Sequence, residues 1–311
     1  APIVEVPVAP IVEAPSQWFP LGWNVEDLTD RQIGLSGGYS GKTMQLQYMN
    51  SEQGIQKQRD TENAPFLGLH AQIPLVDFWN QKDDSSLVLG LVGDAQFDFI
   101  KGTLRGNAQK YSLAGTFGVA TESASGTVGL GVSHYNRETS STDEDVYAEV
   151  TQRGTGFMAL ADFRLGKLLF DGKYLKYSSL DVLVDGEVSV GEEKYPFSAN
   201  AQSDVSSFTV TGGYVFPVAE GKIDLIPAVS YSHTGNIITG DANVPDSWNS
   251  QNSLTLAPRT RLYLGKQFVL DAGLDWNVFD TFDYSEYSIL AIGTQENIAV
   301  QAGLTYRPGV K

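Results

Sequence analysis

Two pairs of carboxylates have the residue types for acid and base chemistry: Asp162 with Asp171, and Asp271 with Asp275. Paired carboxyls exchange protons with a substrate only when further groups, a nucleophile or an oxyanion donor, converge on the same point. Arg164, Lys173, Arg259 and Arg261 sit close to them in the chain, which points instead to ion-pair ladders. Two Ser-His dipeptides, Ser133-His134 and Ser232-His233, raise the question of a hydrolase. Neighbours on a strand point to opposite faces, so neither serine reaches its own histidine as base. The run Thr142-Asp143-Glu144-Asp145 is rich in oxygens that attract calcium. It lacks the alternating ligand spacing and the glycine of a calcium loop, and reads as a solvated acidic loop. The expectation is therefore no catalytic residue, no metal site and no cofactor.

The elements that must position these groups are strands. From about residue 33 the apolar positions recur with period two and almost never with period 3.6. Leu87, Leu89, Leu91, Gly93, Ala95, Phe97 and Phe99 alternate with Asp94, Gln96 and Asp98; Phe268, Leu270, Ala272, Leu274, Trp276 and Val278 alternate with Asp271, Gly273, Asp275 and Asn277. Ile298, Val300, Ala302, Leu304 and Tyr306 repeat the pattern against Gln301, Gly303, Thr305 and Arg307. Twelve strands fit: 38–50, 66–76, 86–99, 110–121, 126–137, 154–165, 167–178, 205–218, 221–236, 252–264, 266–279 and 297–308. Fourteen fit if the short alternating runs 32–41 and 285–293 count separately from lead-in and loop. Most exceed the ~5–6 residues of soluble strands and match the ~9–11 of tilted membrane strands.

Connections alternate between tight turns (Glu122 to Ser125, Gly166-Lys167, Ala219 to Gly221, Gly265 to Gln267, with Asp77 to Ser85 the one longer exception) and mostly long polar stretches at 51–65, 138–153, 179–204, 237–251 and 280–296. Short turns at one end and long loops at the other are the asymmetry of outer-membrane barrels. The tight turns also fix register, because oily positions must pair with oily positions. Closing Gly265 to Gln267 sets Leu264 opposite Phe268, Leu262 opposite Leu270 and Pro258 opposite Leu274, with Arg261 facing Asp271 on the other side. Closing Gly166-Lys167 sets Leu165 opposite Leu168, Phe163 opposite Phe170 and Ala159 opposite Tyr174, with Asp162 facing Asp171. Charges thus converge on the face that a barrel turns to its lumen, and a sandwich core could not bury so many.

Composition agrees. The 311 residues carry 21 basic and 37 acidic groups, a formal charge of -16, with no cysteine and three histidines. That excludes disulfides and thiolate sites and argues against nucleic acid, which needs clustered Lys and Arg. No apolar run reaches the ~18 residues of a membrane helix. Residues 1–32 form a separate segment, with Ala1-Pro2-Ile3-Val4-Glu5 repeated as Ala9-Pro10-Ile11-Val12-Glu13. So much proline predicts an extended polyproline II arm. Its start at Ala1 has the form of an end left by signal-peptide removal, which predicts export.

The region from about 38 to 308 resembles a bacterial outer-membrane β-barrel, twelve-stranded as in autotransporter translocator domains or porin-like. LIPAVSYSHTGN (225–236), LTLAPRTRLYLGKQFVLDAGLDWN (254–277) and NIAVQAGLTYRP (297–308) carry the likeness. The chain departs from that class in running past Tyr306 with Arg307, Pro308, Gly309, Val310 and Lys311, where members usually end on an aromatic residue. The resemblance implies an all-β, transmembrane, antiparallel up-and-down barrel over 33–311, embedded in outer-membrane lipid with both termini periplasmic. The expected function is a narrow pore or translocator for small polar solutes or ions, not an enzyme. Selectivity falls to seven inward-parity acids (Asp94, Asp98, Asp162, Asp171, Asp224, Asp271, Asp275) and five bases (Arg164, Lys173, Arg259, Arg261, Arg307), an excess that predicts mild cation preference. The alternative is a non-conducting anchor that holds a periplasmic or cell-envelope partner through residues 1–16, with Pro2, Ile3, Val4, Pro10, Ile11 and Val12 as contacts, or through its outer loops. Of the histidines, His134 and His233 have outward parity, whereas His70 has inward parity and stands alone.

Overall fold

Strand follows strand in the computed structural model, which describes residues 31–50, 54–80, 85–102, 104–121, 123–142, 146–190, 193–219, 221–240, 247–284 and 290–308. The arm, with Pro2 to Val12, and the acids at 143–145 lie outside the described residues. In chain order the strands are β1 (Gln32–Asn50), β2 (Gly54–Asn80), β3 (Ser85–Gly102), β4 (Leu104–Ala120) and β5 (Ala124–Thr142). Then come β6 (Val146–Leu165), β7 (Leu168–Val190), β8 (Glu193–Tyr214), β9 (Phe216–Ala219) and β10 (Ile223–Ile226). The last are β11 (Ala228–Gly240), β12 (Ser247–Leu256), β13 (Arg259–Leu264), β14 (Phe268–Tyr284) and β15 (Leu290–Tyr306). From β1 to β8 each strand pairs antiparallel with the next, β8 pairs with β11, β9 with β10, β10 with β13, β11 with β12, β12 and β13 with β14, and β14 with β15, and β1 pairs with β15 to close the sheet.

Three pairs, β8 with β9, β10 with β11 and β12 with β13, each form one stave interrupted by a residue or two, so the ring has twelve staves. Two breaks fall at Pro227 and at Ala257-Pro258, because proline has no N–H for the ladder. Neighbours bridge the gaps: Tyr214 N donates to Pro227 O at 3.1 Å, Ala257 N to Ala228 O at 2.8 Å, and Leu274 N to Pro258 O at 3.1 Å. Closure leaves no free edge, which is the condition for β-structure in lipid.

Both tight hairpins have the register expected from their oily pairs. Leu264 faces Phe268, Leu262 faces Leu270 and Arg261 faces Asp271; Leu165 faces Leu168, Phe163 faces Phe170 and Asp162 faces Asp171. Gly166 and Gly265 make these turns at φ 57° and 78°, in the left-handed region where a side chain is strained.

The other end differs from expectation. Much of the stretches assigned to loops is ladder: β1 and β2 pair out to Asn50 and Gly54, β5 and β6 to Thr142 and Tyr147, β7 and β8 to Val190 and Glu193. A bulge hides the extension of β7, because it flips the parity of all that follows. On β7 the inward series ends at Tyr177 and resumes at Leu180, with Ser179 at φ 59° and its N–H donating to Asp204 Oδ1 at 2.7 Å. Residues 32–41, assigned to a lead-in, are the first half of β1.

Candidate functional site

The two faces of the wall invert the burial of a soluble protein. Outward positions are oily and exposed, Leu130 by 64% and Leu165 by 61%, whereas inward Arg259 and Arg261 are 8% and 7% exposed. On the outer face aliphatic residues lie between two aromatic rows. Phe163, Phe170, Tyr214, Phe268 and Tyr306 stand near the tight-turn end, and Tyr39, Tyr111, Phe157, Tyr174, Phe208, Tyr231 and Trp276 stand further up. The eight steps from Phe268 to Trp276, at ~3.3 Å each and a tilt of about 40°, span ~20 Å along the barrel axis. Outward positions between the rows hold no Asp, Glu, Lys or Arg; Lys101, Arg105, Glu138, Arg153, Lys176 and Asp204 begin above them. An uncharged belt with aromatic borders around a closed, even-numbered, antiparallel ring is what a bilayer selects. The chain is a transmembrane β-barrel of the outer-membrane kind. Its candidate functional site is the lumen.

One side of the lumen is a ladder of opposite charges on β10, β13, β14 and β15. Arg261 Nε donates to Asp271 Oδ1 at 2.9 Å, and Arg259 Nη2 to Asp275 Oδ1 at 2.5 Å. Gln301 Nε2 reaches Asp275 Oδ2 at 3.2 Å, and the Tyr263 hydroxyl donates to Asp224 Oδ2 at 2.9 Å. Arg259 lies flat along the wall because Gly273, directly opposite, leaves space for its guanidinium, whose Nη1 donates to Leu274 O at 2.9 Å. Apolar side chains use the same device. A Cβ at Gly156 would fall 2.7 Å from the Tyr177 ring, and one at Gly38 would fall 2.6 Å from Phe66. Inward glycines therefore receive the large side chains of the next stave.

The other side, β2 to β8, is mixed. His70, 1% exposed, donates through Nδ1 to Asp94, which also accepts from Ser112 Oγ at 3.1 Å. Asp98 accepts from Gln96 Nε2 at 2.8 Å, and Ser133 Oγ bonds the Tyr177 hydroxyl at 2.8 Å. Asp162 and Asp171 face one another, with Lys173 near enough for its charge to act on both. Above them Met158, Leu175, Tyr177, Leu180, Val182 and Val184 form a buried apolar cluster.

Ten of the twelve expected lumen residues, Asp94, Asp98, Asp162, Asp171, Lys173, Asp224, Arg259, Arg261, Asp271 and Asp275, lie on inward ladder positions. Arg164 shares that face but turns to the rim, its Nε donating to Gly166 O at 2.8 Å. Arg307 sits just past β15, its backbone N–H held by Gln267 O at 2.8 Å. His70 does not stand alone: Asp94, 24 residues away, faces it across β2 and β3. Sequence reasoning missed Lys110, Arg137 and Asp280. The first two stand at the ends of the expected strands 110–121 and 126–137 but lie inside β4 and β5, and Asp280 follows a bulge that moves the inward series from Asn277 to it. They raise the inward set to eight acids and seven bases among described side chains, so the acidic excess shrinks to one. His134 and His233 face outward, against Thr155 Oγ1 at 3.0 Å and Asn252 Oδ1 at 2.9 Å.

No protein-family model and no curated protein matches the chain. Solved structures similar to it include an outer membrane channel from Pseudomonas putida F1, at TM-score 0.47 and 13% identity over 96% of this chain and 100% of that one. The translocator domain of the autotransporter NalP from Neisseria meningitidis aligns at TM-score 0.43 and 11% identity over 92% and 94%. The outer membrane protease OmpT from Escherichia coli aligns at TM-score 0.32 and 12% identity over 89% and 96%.

Proposed function

We propose that the barrel lies in a bacterial outer membrane, with both termini periplasmic, and acts as a narrow pore or translocator for small polar solutes or ions. The observation that carries this reading is the posture of the lumen charges. Arg259 and Arg261 are held against the wall by paired acids, and Arg259 also by the space over Gly273, so fixed charges line the bore instead of crossing it. Charged rings of this kind weight permeation by sign. Both ends of the ring seam, Ile33 and Tyr306, meet at the tight-turn end, which supports the periplasmic assignment of the termini. Single-channel recording in planar bilayers tests the proposal. Steady conductance with a weak cation preference is the expected result, and Arg259→Gln with Arg261→Gln makes that preference stronger. A folded barrel that leaves the bilayer silent overturns it.

The apolar cluster of Met158, Leu175, Leu180 and Val182 favours a second reading, in which the upper lumen is closed and the barrel anchors a partner through the arm. In that case deletion of residues 1–16 abolishes capture of a cell-envelope protein.

A further inference from the structure

Three consecutive connections at the tight-turn end repeat one dipeptide: Gly166-Lys167 between β6 and β7, Gly221-Lys222 between β9 and β10, and Gly265-Lys266 between β13 and β14. Each glycine has positive φ, at 57°, 67° and 78°, so the backbone turns alike and presents the following lysine at the tip. The main chain of each turn is tied to the next stave. Lys167 O accepts from Val215 N at 2.9 Å, Lys222 O from Tyr263 N at 2.9 Å, and Gln267 O from Arg307 N at 2.8 Å. All three lysine side chains are exposed. The oily wall ends immediately above them, since Leu165 faces Leu168 across the first turn and Leu264 faces Phe268 across the third. A lysine one or two residues past the last lipid-facing pair lays its stem along that surface and holds its ammonium at headgroup level.

Charge is spread unevenly around this rim. Arg164 and Arg307 flank the same three turns, and Glu220 is the one acid among them, in a chain of formal charge -16. The connections after β2 and β4 carry Lys82, Asp83, Asp84 and Glu122, a surplus of acid. Successive turns are two staves apart, ~10 Å along the rim, about one Debye length at ~0.1 M salt. Each lysine therefore meets its own headgroup, while the potentials overlap into one positive sector.

We propose that Lys167, Lys222 and Lys266 form a docking surface for anionic phospholipid, with a headgroup of the phosphatidylglycerol kind, in the leaflet at the tight-turn end. That leaflet is the periplasmic one on the topology proposed above. Phosphatidylcholine carries its own ammonium beyond the phosphate, which repels the lysines; phosphatidylglycerol does not. A base near an anionic surface gives a preference of about fivefold. The acidic arm fits less well, because residues 1–16 bring two carboxylates, Glu5 and Glu13, whereas every lipid beside the turns brings a phosphate to the depth of the ammonium groups.

The chain has no cysteine, so a single introduced cysteine can carry a fluorophore. Leu264→Cys, outward and between Lys222 and Lys266, samples the proposed surface; Val119→Cys, outward and near Glu122, samples the acidic sector. The full chain is folded into mixed vesicles in which either the phosphatidylglycerol or the phosphatidylcholine has brominated acyl chains, which quench on contact. Phosphatidylglycerol is expected to be enriched about fivefold at position 264 and not at position 119. The enrichment falls to parity in Lys222→Gln with Lys266→Gln, and in about 1 M salt, where the Debye length is ~3 Å. Equal quenching by the two lipids at position 264 overturns the proposal. So does enrichment that survives the paired substitution or the salt, or that appears only when residues 1–16 are deleted, which gives the lysines to the arm. Heat-modifiable gel mobility verifies folding, and the salt series decides the matter on unaltered lysines should the paired variant fail to fold. The readout is lipid contact and not conductance, so a silent bilayer removes the pore and leaves this surface standing.

Discussion

The hairpins around Gly166 and Gly265 are built alike on the outside and differ on the inside. Each turns on a glycine with positive φ, and each lays three oily pairs toward lipid in the same rhythm. In the lumen, β13 and β14 set Arg261 against Asp271, whereas β6 and β7 set Asp162 against Asp171. Lipid constrains the outer face of every stave equally, since a charge there is costly wherever it sits. Water and neighbouring staves surround the inner face, so like-charged partners are tolerated in one place and neutralised in another. The lumen is the face on which this protein is free to differ.

The largest effect tests the shared face. Ala272→Arg and Ala161→Arg, outward and midway between the aromatic rows, should each destabilise the folded barrel in vesicles by about 2–4 kcal/mol, and to a similar extent, as read by urea titration. Unequal penalties would mean that the two hairpins do not sit at the same depth. Next come substitutions of opposite sign on the inner face. Asp271→Asn leaves the Arg261 guanidinium buried without its anion and should cost about 2 kcal/mol, less than in a dry core because lumen water remains. Asp171→Asn relieves repulsion and should stabilise the chain by about 0.5–1 kcal/mol. Loss of stability in both variants would show that Asp171 is already neutralised within the protein. The smallest effect concerns the turns: Gly166→Ala and Gly265→Ala force a Cβ into the left-handed region and should each cost about 1 kcal/mol in the same titration.

Much of this was legible in the order of residues. Period two, tight turns and the demand that oily positions meet fixed the Leu262–Leu270 and Phe163–Phe170 pairs, and with them the inward set from Asp162 to Asp275. The extension of β7 beyond the belt was not legible, because Tyr177 and Leu180 both face inward around Ser179 and the alternation breaks there. Lys110 was missed for another reason. It begins the expected strand 110–121 but lies inside β4, whose first residues, from Leu104, carry no oily alternation to mark them as strand.

The sequence by itself determined which side chains meet lipid and which meet the lumen, because adjacent residues of a strand point to opposite faces and turn length sets the register. Only the tertiary structure decided which lumen groups touch across the longer connections. The registers there bring Gly38 under Phe66, Asp94 against His70, Thr127 beside Asp162 and Asp171 beside Thr211. Those meetings depend on ladders whose connecting segments are too long to set a register, and the spacing within one strand carries no record of them.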